Sequence, residues 1–294
     1  MTFRLTALTD AAPSPFTHRL TWLASASDGT PLGTAVLGLF TSPGQAHLCS
    51  LTLNVHPAER RRGIASALLS AAASAAAEDG RQAMLVQAVE GSPGDAFLTA
   101  RGFDRALVLD FARLDLTAPA AAPAAVEVPI SPGYRLISWL GSCPDEWLAT
   151  FTVSRTAMDD TPMGDTDFGV VAWDEERVLA AAKAVADRGE LLHTVAAVEE
   201  ATGSIVGFTE LVLPASRSGD AQHYGTGVMP THRRRGLARA MKAETIRWAR
   251  TEQPEITGLL TDTADHNVGM IAVNEALGYR TTHRSIEFRL SFHS

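Results

Sequence analysis

Short apolar stretches and stretches of helical periodicity alternate along the second half of the chain. Strands are predicted at residues 191–198, 205–213, 222–229 and 256–260, and helices at 174–188 and 267–277. The first of these helices begins at an N-cap aspartate, Asp174. Another helix is predicted from Leu237, Met241, Thr245 and Trp248, whose spacing turns one helical face toward a sheet. The pattern predicts an α/β fold with a mixed sheet in each half.

One sequence segment occurs twice, with its shared residues in the same order and 173 positions apart. VHPAERRRGIA at 55–65 returns as VMPTHRRRGLA at 228–238. In both copies an apolar stretch leads into a basic, Gly-containing turn, and an apolar-striped helix follows. Unpaired N–H groups and the positive end of the helix dipole make such a turn a binding site for phosphate. The chain therefore carries two predicted phosphate-binding turns.

The candidate phosphate-binding residues occupy equivalent positions in the two copies. In the first copy they are Val55, Arg60, Arg61, Arg62, Gly63, Ile64 and Ala65. In the second copy they are Val228, Met229, Arg233, Arg234, Arg235, Gly236, Leu237 and Ala238. Glycine allows the backbone to approach an anion closely, and the arginines add positive charge.

Each copy also ends alike, with ARGF at 100–103 and ALGY at 276–279. The order strand, phosphate turn, helix, strand, helix, Gly-aromatic, strand resembles the GNAT superfamily of acyl-CoA-dependent N-acyltransferases. In that family R/Q-x-x-G-x-G/A binds the pyrophosphate of coenzyme A, and an N-x-x-M…N-x-x-LGF/Y element lies beside the pantetheine arm. The second half matches this element from Asn267 to Tyr279, and the first half matches it only at Gly102-Phe103. The resemblance implies contact between Asn267 and the coenzyme.

The resemblance implies two tandem copies of a mixed-sheet GNAT-like fold, the first of them trimmed. A Pro/Ala-rich segment beginning near residue 117 reads as an extended linker. We therefore divide the chain into an N-terminal domain (1–117), a linker (118–130) and a C-terminal domain (131–294). Before its phosphate turn the second domain has room for two or three helices. The first has about half that room, which prolines interrupt. Because early helices cover the acceptor pocket in GNAT proteins, we assign the acyl-transfer reaction to the second domain.

Composition fits a two-domain enzyme and narrows its partners. The net charge is −8 and the pI about 5.6, so nucleic-acid and anionic-membrane binding are disfavoured. Cys49 and Cys143 form no metal or CxxC spacing and are expected to be reduced and buried, so no metal site is predicted. The start lacks an apolar signal core, and no apolar run reaches transmembrane length, so a cytoplasmic protein is expected. We also expect a monomer or homodimer.

Acetyl transfer to an amine requires a base, a donor that polarises the thioester carbonyl, and a proton for the leaving thiolate. The candidate bases are Glu210 on an apolar strand, His223 on the neighbouring strand and Asp262, whose simpler role is to cap or support the following helix. Many GNAT members protonate the thiolate with a tyrosine four residues before the Gly-aromatic pair. Here that position is Asn274, which can hydrogen-bond a thiolate but has no useful pKa, and Leu98 holds it in the first half.

Several alternatives stay open at this stage. Asn267 and Asn274 share a helical face that suits pantetheine, although capping by Asn267 and simple exposure of Asn274 also explain them. The acidic run 158–165 is either a solvated turn or a loop over the acceptor pocket, where Asp159 and Asp160 would attract a cationic amine. The arginine-rich helix start could contact nucleic acid, but the acidic net charge disfavours this interpretation.

Three functions remain. The first is transfer of acetyl from acetyl-CoA, or another acyl-CoA, to a small-molecule amine, a metabolite or an antibiotic. The second is non-catalytic acyl-CoA binding or sensing. The third is a mycothiol-type thiol-cofactor biosynthetic acetyltransferase, because tandem GNAT proteins include such enzymes.

Overall fold

The computed structural model of the protein describes residues 2–10, 17–117, 128–169 and 172–292. The chain forms two compact units, each assembled from separate segments. The first unit takes in Met1–Val108, Met163–Val171 and Ser285–Ser294; the second takes in Leu109–Pro162 and Ala172–Arg284. Most of the expected linker, residues 118–127, lies outside the described residues.

The first unit is built on a mixed sheet. Its strands, in spatial order, are β1 (Phe3–Leu8), β2 (Thr17–Ala26), β3 (Pro31–Phe40), β4 (Leu48–Val55), β5 (Ala83–Val89) and the last part of β12 (Arg280–Ser291). Neighbouring strands are antiparallel except β4 and β5, which pair in parallel. Helix α1 (Ile64–Glu78) connects β4 to β5, and α2 (Pro93–Thr99) follows β5.

The second unit repeats this plan. Its strands, in spatial order, are β7 (Tyr134–Leu140), β8 (Leu191–Glu199), β9 (Ile205–Leu213), β10 (Gly219–Val228), β11 (Ile256–Ala264) and the last part of β6 (Asp104–Asp115). Only β10 and β11 pair in parallel. Its helices are α3 (Asp145–Ser154), α4 (Glu175–Asp187), α5 (Leu237–Glu252) and α6 (Val268–Ala276). The predicted mixed α/β fold in two tandem copies is confirmed.

The last strand of each unit comes from a distant part of the chain. Residues 285–291 of β12 pair with β5 in the first unit. Residues 109–115 of β6 pair with β11 in the second unit. The compact units therefore do not follow the sequence division at residue 117. Alternation along a strand predicts its two faces but does not identify its neighbours in the sheet.

Most individual elements lie where the periodicity predicts them. Asp174 is the N-cap of α4, and its carboxylate accepts the backbone N–H of Arg177 at 2.7 Å. Leu237, Met241 and Thr245 are buried on the sheet-facing side of α5. The prediction of β11 was four residues too short, because the strand continues to Ala264.

The two units differ in the helices that precede the phosphate turn. In the second unit α3 and α4 lie before β10, and the 3-10 helix Arg155–Met158 follows α3 directly. In the described part of the first unit, only the 3-10 helix Pro43–Gln45 comes before the end of β4. The first copy is therefore the trimmed one, as predicted. No helix in the described ranges combines the length and the apolar character needed to cross a membrane.

Candidate functional site

The two phosphate turns have the same backbone conformation. Arg61 and Gly63 have φ values of 64° and 82°, and Arg234 and Gly236 have values of 61° and 74°. Both glycines are helix N-caps in the left-handed region, which glycine adopts without strain. A Cβ built on either glycine meets no heavy atom within 4 Å outside its chain neighbours. Each turn therefore opens on space that a ligand phosphate can enter.

The hydrophobic residues of the two turns contribute backbone rather than side chains. Ile64 and Leu237 begin α1 and α5, and both side chains are buried in the cores. Their N–H groups, with those of Ala65 and Ala238, belong to the first helical turn, which has no intrahelical acceptor for them. These N–H groups and the helix dipole form the anion-binding part of each turn.

Arg233, the first arginine of the second turn, is held by the protein itself. Its Nη1 and Nη2 atoms donate to Asp160 at 2.5 and 2.7 Å, and its Nε donates to the carbonyl of Val228 at 2.9 Å. This pairing lowers the pKa of Asp160 below its ordinary value. In the first turn Arg60 repeats only the contact to the preceding strand, with Nε 3.4 Å from the carbonyl of Val55. Asp160 thus binds an arginine of the turn, whereas the sequence suggested a cationic substrate as its partner.

The other arginines are more open to a ligand. Arg61, Arg62, Arg234 and Arg235 are all exposed residues. Arg62 pairs with Glu59 at 2.6 Å. The guanidinium of Arg235 lies 5.8 Å from the centroid of the Tyr134 ring. Met229, which precedes the turn, donates its backbone N–H to Val206 and continues the contact between β9 and β10.

The central parallel strands of each unit pair only at their beginnings. In the second unit the pairing of β10 with β11 ends at Gln222 and Leu260, although both strands continue. In the first unit the corresponding pairing of β4 with β5 ends at Ser50 and Leu85. Beyond these points the facing backbone edges have no partner in the other strand. This parting leaves polar backbone groups available to an extended, amide-containing ligand.

Only the second unit carries a bulge where its strands part. The register between β9 and β10 shifts between His223 and Gly225, so Tyr224 has no opposing residue on β9. The equivalent ladder between β3 and β4 has no such shift. A bulge disrupts the ladder locally and re-aims the backbone, and bulges are frequent beside active sites. Among the described residues, the bulge distinguishes the second unit from the first at the point where the central parallel strands part.

Glu210 forms a buried ion pair, which the sequence did not predict. Its Oε2 accepts a hydrogen bond of 2.8 Å from Nη1 of Arg155, and both side chains are less than 10% exposed. The guanidinium of Arg155 also lies 4.3 Å from the Trp173 ring centroid and 4.7 Å from that of Phe208. A carboxylate held by a buried guanidinium is poorly placed to remove a proton from an amine. The structure therefore favours a structural role for Glu210 over the predicted base.

His223 is also part of the core. Its Nε2 lies 2.8 Å from the hydroxyl of Tyr279, and its Nδ1 lies 3.5 Å from that of Thr209. Burial, followed by the charge of Lys242, holds the pKa of His223 well below its ordinary value. Both ring nitrogens face protein hydroxyls and the ring is shielded from solvent. The structural interpretation of this histidine fits better than that of a base.

The two asparagines of the second-half element have different environments. Asn267 is the N-cap of α6 and accepts the N–H of Met270 at 3.3 Å. Asn274 is buried, and its Nδ2 donates to Oγ1 of Thr263 at 3.2 Å. Its Oδ1 is buried without a hydrogen-bond partner among the described residues. Capping by Asn267 is confirmed and exposure of Asn274 is wrong. With its amide N–H group committed to Thr263, Asn274 has no acidic proton to offer a thiolate.

Asp262 has an accessible carboxylate and lies where β10 and β11 part. It lies inside β11, two residues after the last residue paired with β10, so it does not cap α6. Its Oδ1 lies 3.4 Å from Nε2 of Gln222. Solvent reaches the side chain, yet desolvation by the surrounding protein raises the pKa of its carboxyl above the ordinary value, against the charge of Lys242.

Asp262 shares a face of the sheet with Glu210. Alternation places Glu210 and Val212 of β9 on one face, and Val212 packs against α4. Gln222 is opposite Val212 in the β9–β10 pair and therefore lies on that face as well. The hydrogen bond from Gln222 to Asp262 extends this polar row to β11. The face is the one that α3 and α4 cover.

Arg155, Tyr224 and Lys242 were absent from the sequence-based site. The two glycines in YGTG at 224–227 were a usable signal, because glycine within a strand often marks a bulge or a close approach. A Cβ on Gly227 would lie 3.1 Å from Sδ of Met158, so the 3-10 helix packs directly on β10. Within the described residues, no cluster of three or more His, Cys, Asp or Glu side chains is placed to hold a metal ion.

Comparisons with known proteins agree with this geometry. A sequence profile of the acetyltransferase (GNAT) family matches residues 5–103 and 147–279. A search of curated proteins finds no match. Among solved structures, a tandem GNAT protein from the clavulanic acid biosynthesis pathway superposes with a TM-score of 0.77 at 27% identity, over 96% of this chain and 86% of that one.

Two further structures share the fold at lower identity. A GCN5-related N-acetyltransferase from Sphaerobacter thermophilus has a TM-score of 0.66 at 17% identity, over 92% of this chain and 80% of that one. Another from Kribbella flavida has a TM-score of 0.56 at 17% identity, over 90% and 88%. The family profile matches both halves of the chain and most of its length. The chain therefore belongs to the GNAT acetyltransferase family, with two GNAT folds in tandem.

Proposed function

We propose that the protein transfers an acetyl group from acetyl-CoA to the amine of a small molecule, and that the second unit performs the reaction. The observation that carries this proposal is the bulge at Tyr224. It occurs where β10 and β11 part, in the unit that also has α3, α4 and an open phosphate turn. In its described residues, the first unit has a similar turn without the bulge and without the early helices.

The second turn is suited to hold the pyrophosphate of the co-substrate. The N–H groups of Leu237 and Ala238 and the exposed side chains of Arg234 and Arg235 supply donors and positive charge. Arg233 keeps the turn in shape through Val228 and Asp160. The pantetheine arm would then follow the unpaired edges of β10 and β11. In the first unit the same kind of turn supports weaker binding.

Asp262 is the best-placed base in this proposal. Its carboxyl is accessible and lies at the parting of the strands, and its raised pKa makes it a stronger base than an ordinary aspartate. The backbone N–H at the bulge is positioned by β10 to polarise the thioester carbonyl. Attack of the neutral amine on that carbonyl then forms the amide and releases the thiol.

A small-molecule acceptor is supported by one relative. The tandem GNAT protein to which this chain is 27% identical comes from the clavulanic acid biosynthesis pathway. On the face covered by α3 and α4, Glu210 is paired with Arg155, whereas no salt bridge among the described residues includes Asp262. The carboxylate of Asp262 therefore favours an acceptor that arrives as a cation.

Matched glycine variants test which unit works. Gly236→Asp and Gly63→Asp place the same side chain and charge at equivalent backbone conformations with equal free space. Thiol release from acetyl-CoA would be followed with a panel of amines, and coenzyme binding by calorimetry. We expect Gly236→Asp to abolish both turnover and the stronger binding event, whereas Gly63→Asp keeps most turnover.

The other outcomes are equally informative. Loss of turnover only in Gly63→Asp would assign catalysis to the first unit. Full activity in both variants would contradict the coenzyme site. Tight acetyl-CoA binding without turnover of any amine would favour the second candidate, an acyl-CoA sensor, which the replacement of the usual tyrosine by the buried Asn274 also supports.

A further inference from the structure

The proposed reaction leaves one proton unassigned. The leaving thiolate of coenzyme A needs a proton, and the position of the usual tyrosine is occupied by Asn274. That side chain is bound to Thr263 on β11. A hydroxyl of the same strand, that of Thr261, lies two residues earlier on the same face. Its neighbours form a polar cluster that the proposed function does not use.

The centre of this cluster is Lys242, which is 1% exposed. Its Nζ lies 3.5 Å from Oγ1 of Thr261 and 4.7 Å from the centroid of the Tyr279 ring. The hydroxyl of Tyr279 in turn lies 2.8 Å from Nε2 of His223. No carboxylate among the described residues forms a salt bridge with this ammonium. A buried ammonium without such a partner costs several kcal/mol, so its presence calls for a reason.

The cluster lies next to the proposed reaction centre, where β10 and β11 part. Helix α5 begins at Leu237, directly after Gly236 of the phosphate turn. Lys242 is on this helix, five residues after Leu237. Thr261 is the first residue of β11 after Leu260, where the pairing with β10 ends. The lysine therefore lies behind the strand whose free edge would face the acyl end of the co-substrate.

Of the titratable groups in and around this cluster, Lys242 is best suited to exchange a proton near neutral pH. Burial lowers its pKa to about 7, and the charge of Asp262 on β11 opposes this effect. Burial lowers the pKa of His193 on β8 to about 4 and holds that of His223 on β10 well below its ordinary value. Burial also raises the pKa of Tyr279. Both histidines are therefore neutral and the tyrosine stays protonated.

Composition gives independent support. Of the 25 lysine and arginine residues, only Lys183 and Lys242 are lysines. Lys183 is an exposed residue that pairs with Asp187 one helical turn away. Arginine, which the chain uses almost everywhere else, does not lose its proton in proteins, whereas a buried lysine does. The buried position thus carries the basic residue that can act as a proton donor.

We propose that Lys242 supplies the proton for the coenzyme A thiolate through the hydroxyl of Thr261; this inference rests on the proposed function. The amine nitrogen forms the new C–N bond, its proton passes to Asp262, and the C–S bond breaks with its electron pair on sulfur. Thr261 gives its proton to sulfur and receives one from Lys242. Asp262 then releases its proton to solvent and Lys242 takes one up, which restores both groups. A cationic acceptor first loses one proton to solvent through Asp262, so one proton is released for each acetyl group transferred.

The two lysines make a direct test possible. In full-length protein labelled with 13C at lysine Cε, two signals are expected, and Lys183→Met removes the exposed one. The remaining signal would be titrated with free coenzyme A and with desulfo-coenzyme A, which lacks the sulfur atom. An ammonium close to the sulfur lowers the pKa of the bound thiol, and the thiolate formed in this way keeps the proton on Lys242. We therefore expect the midpoint for Lys242 to be about 1 pH unit higher with coenzyme A than with the desulfo compound.

Kinetics complete the test. Lys242→Met and Thr261→Val should lower kcat at least 10-fold and remove the fall of kcat above pH 7, with little change in KM; Lys183→Met should behave as the parent. Equal midpoints with the two compounds, or an unchanged pH profile in Lys242→Met, would overturn the inference while leaving the proposed function in place. If neither compound bound, the proposed function and this inference would both be contradicted.

Discussion

At the residue scale, Asp160 places a negative charge beside a site proposed for an anion. Replacing it with asparagine removes that charge and frees the guanidinium of Arg233 for phosphate. We expect Asp160→Asn to bind coenzyme A several-fold more tightly, an effect of about 1 kcal/mol for a partly exposed pair. The effect should shrink in high salt. Calorimetry at two salt concentrations measures it.

Asp159 provides the matched control for this prediction. Asp159→Asn removes the same charge one residue away and leaves the bonds between Asp160 and Arg233 intact. We expect a smaller gain in affinity from it. Weaker binding by Asp160→Asn would mean instead that Asp160 orients Arg233 toward the ligand.

Asp262 and Glu210 differ in what surrounds them, and a pair of amide variants separates their roles. The pKa of Asp262 is raised, so the side chain is ionised and can act as a base only above a higher pH than an ordinary aspartate, and the rate should rise through that range. Asp262→Asn should lower kcat on the order of 100-fold and remove this rise. Glu210→Gln, which disturbs the pair with Arg155, should retain it. A pH profile that is lost only in Glu210→Gln would restore Glu210 as the base.

At the element scale, the bulge in β10 is a backbone feature, so its test is a deletion. Removing Tyr224 brings β10 into the regular register of β4 in the first unit. We expect turnover to fall on the order of 100- to 1,000-fold, the usual effect of losing one oxyanion donor, while coenzyme affinity is retained. Tyr224→Ala keeps the extra residue and should keep most of the activity. Equal losses in the two variants would assign the role to the side chain.

The structural elements also show how much of the fold and of the candidate site the sequence predicts. The turns at 55–65 and 228–238 were predictable because a phosphate turn depends on local signals: glycine, arginines and a helix start. Periodicity also predicted β8 to β11 and helices α4, α5 and α6 of the second half, but not β7, α3 or β12. The ion pair between Arg155 and Glu210 was not, since the residues are 55 positions apart and only the packing of α3 against β9 brings them together. Asp262 was misassigned because β11 was predicted to end before it.

Lys242 shows the remaining gap between sequence and structure. It was predicted only as part of an amphipathic helix, where a lysine normally lies in solvent. Its rarity in the composition was visible, but its burial depends on the Tyr279 ring and on Thr261, which come from later elements. Long-range packing decides the protonation of this residue.

At the scale of the whole molecule, each unit depends on a strand encoded in the other half. Phe288 of β12 is fully buried in the core of the first unit, and Leu114 of β6 is buried in a core of the second. We expect Phe288→Ala to cost about 3–5 kcal/mol and Leu114→Ala about 2–5 kcal/mol. Hydrogen exchange should show loss of protection in β4 and β5 for the first variant, and in β10 and β11 for the second.

The assignment of strands to units decides the outcome of that experiment. If Phe288→Ala removed protection from β10 and β11 while β4 and β5 stayed protected, β12 would belong to the second unit. Separate expression of residues 1–117 is a poor test of the first copy, because that fragment lacks β12.

The exchanged strands also order events in time during synthesis. Residues up to Val108 leave the ribosome first, but the strand that pairs with β5 begins at Ser285. At roughly 5–20 residues per second, the nascent N-terminal half waits on the order of ten to thirty seconds for its last strand. During that interval the edge of β5 and the apolar face that Ile286 and Phe288 later cover are open to other chains. Slower translation should therefore lengthen the time during which other chains can pair with this edge.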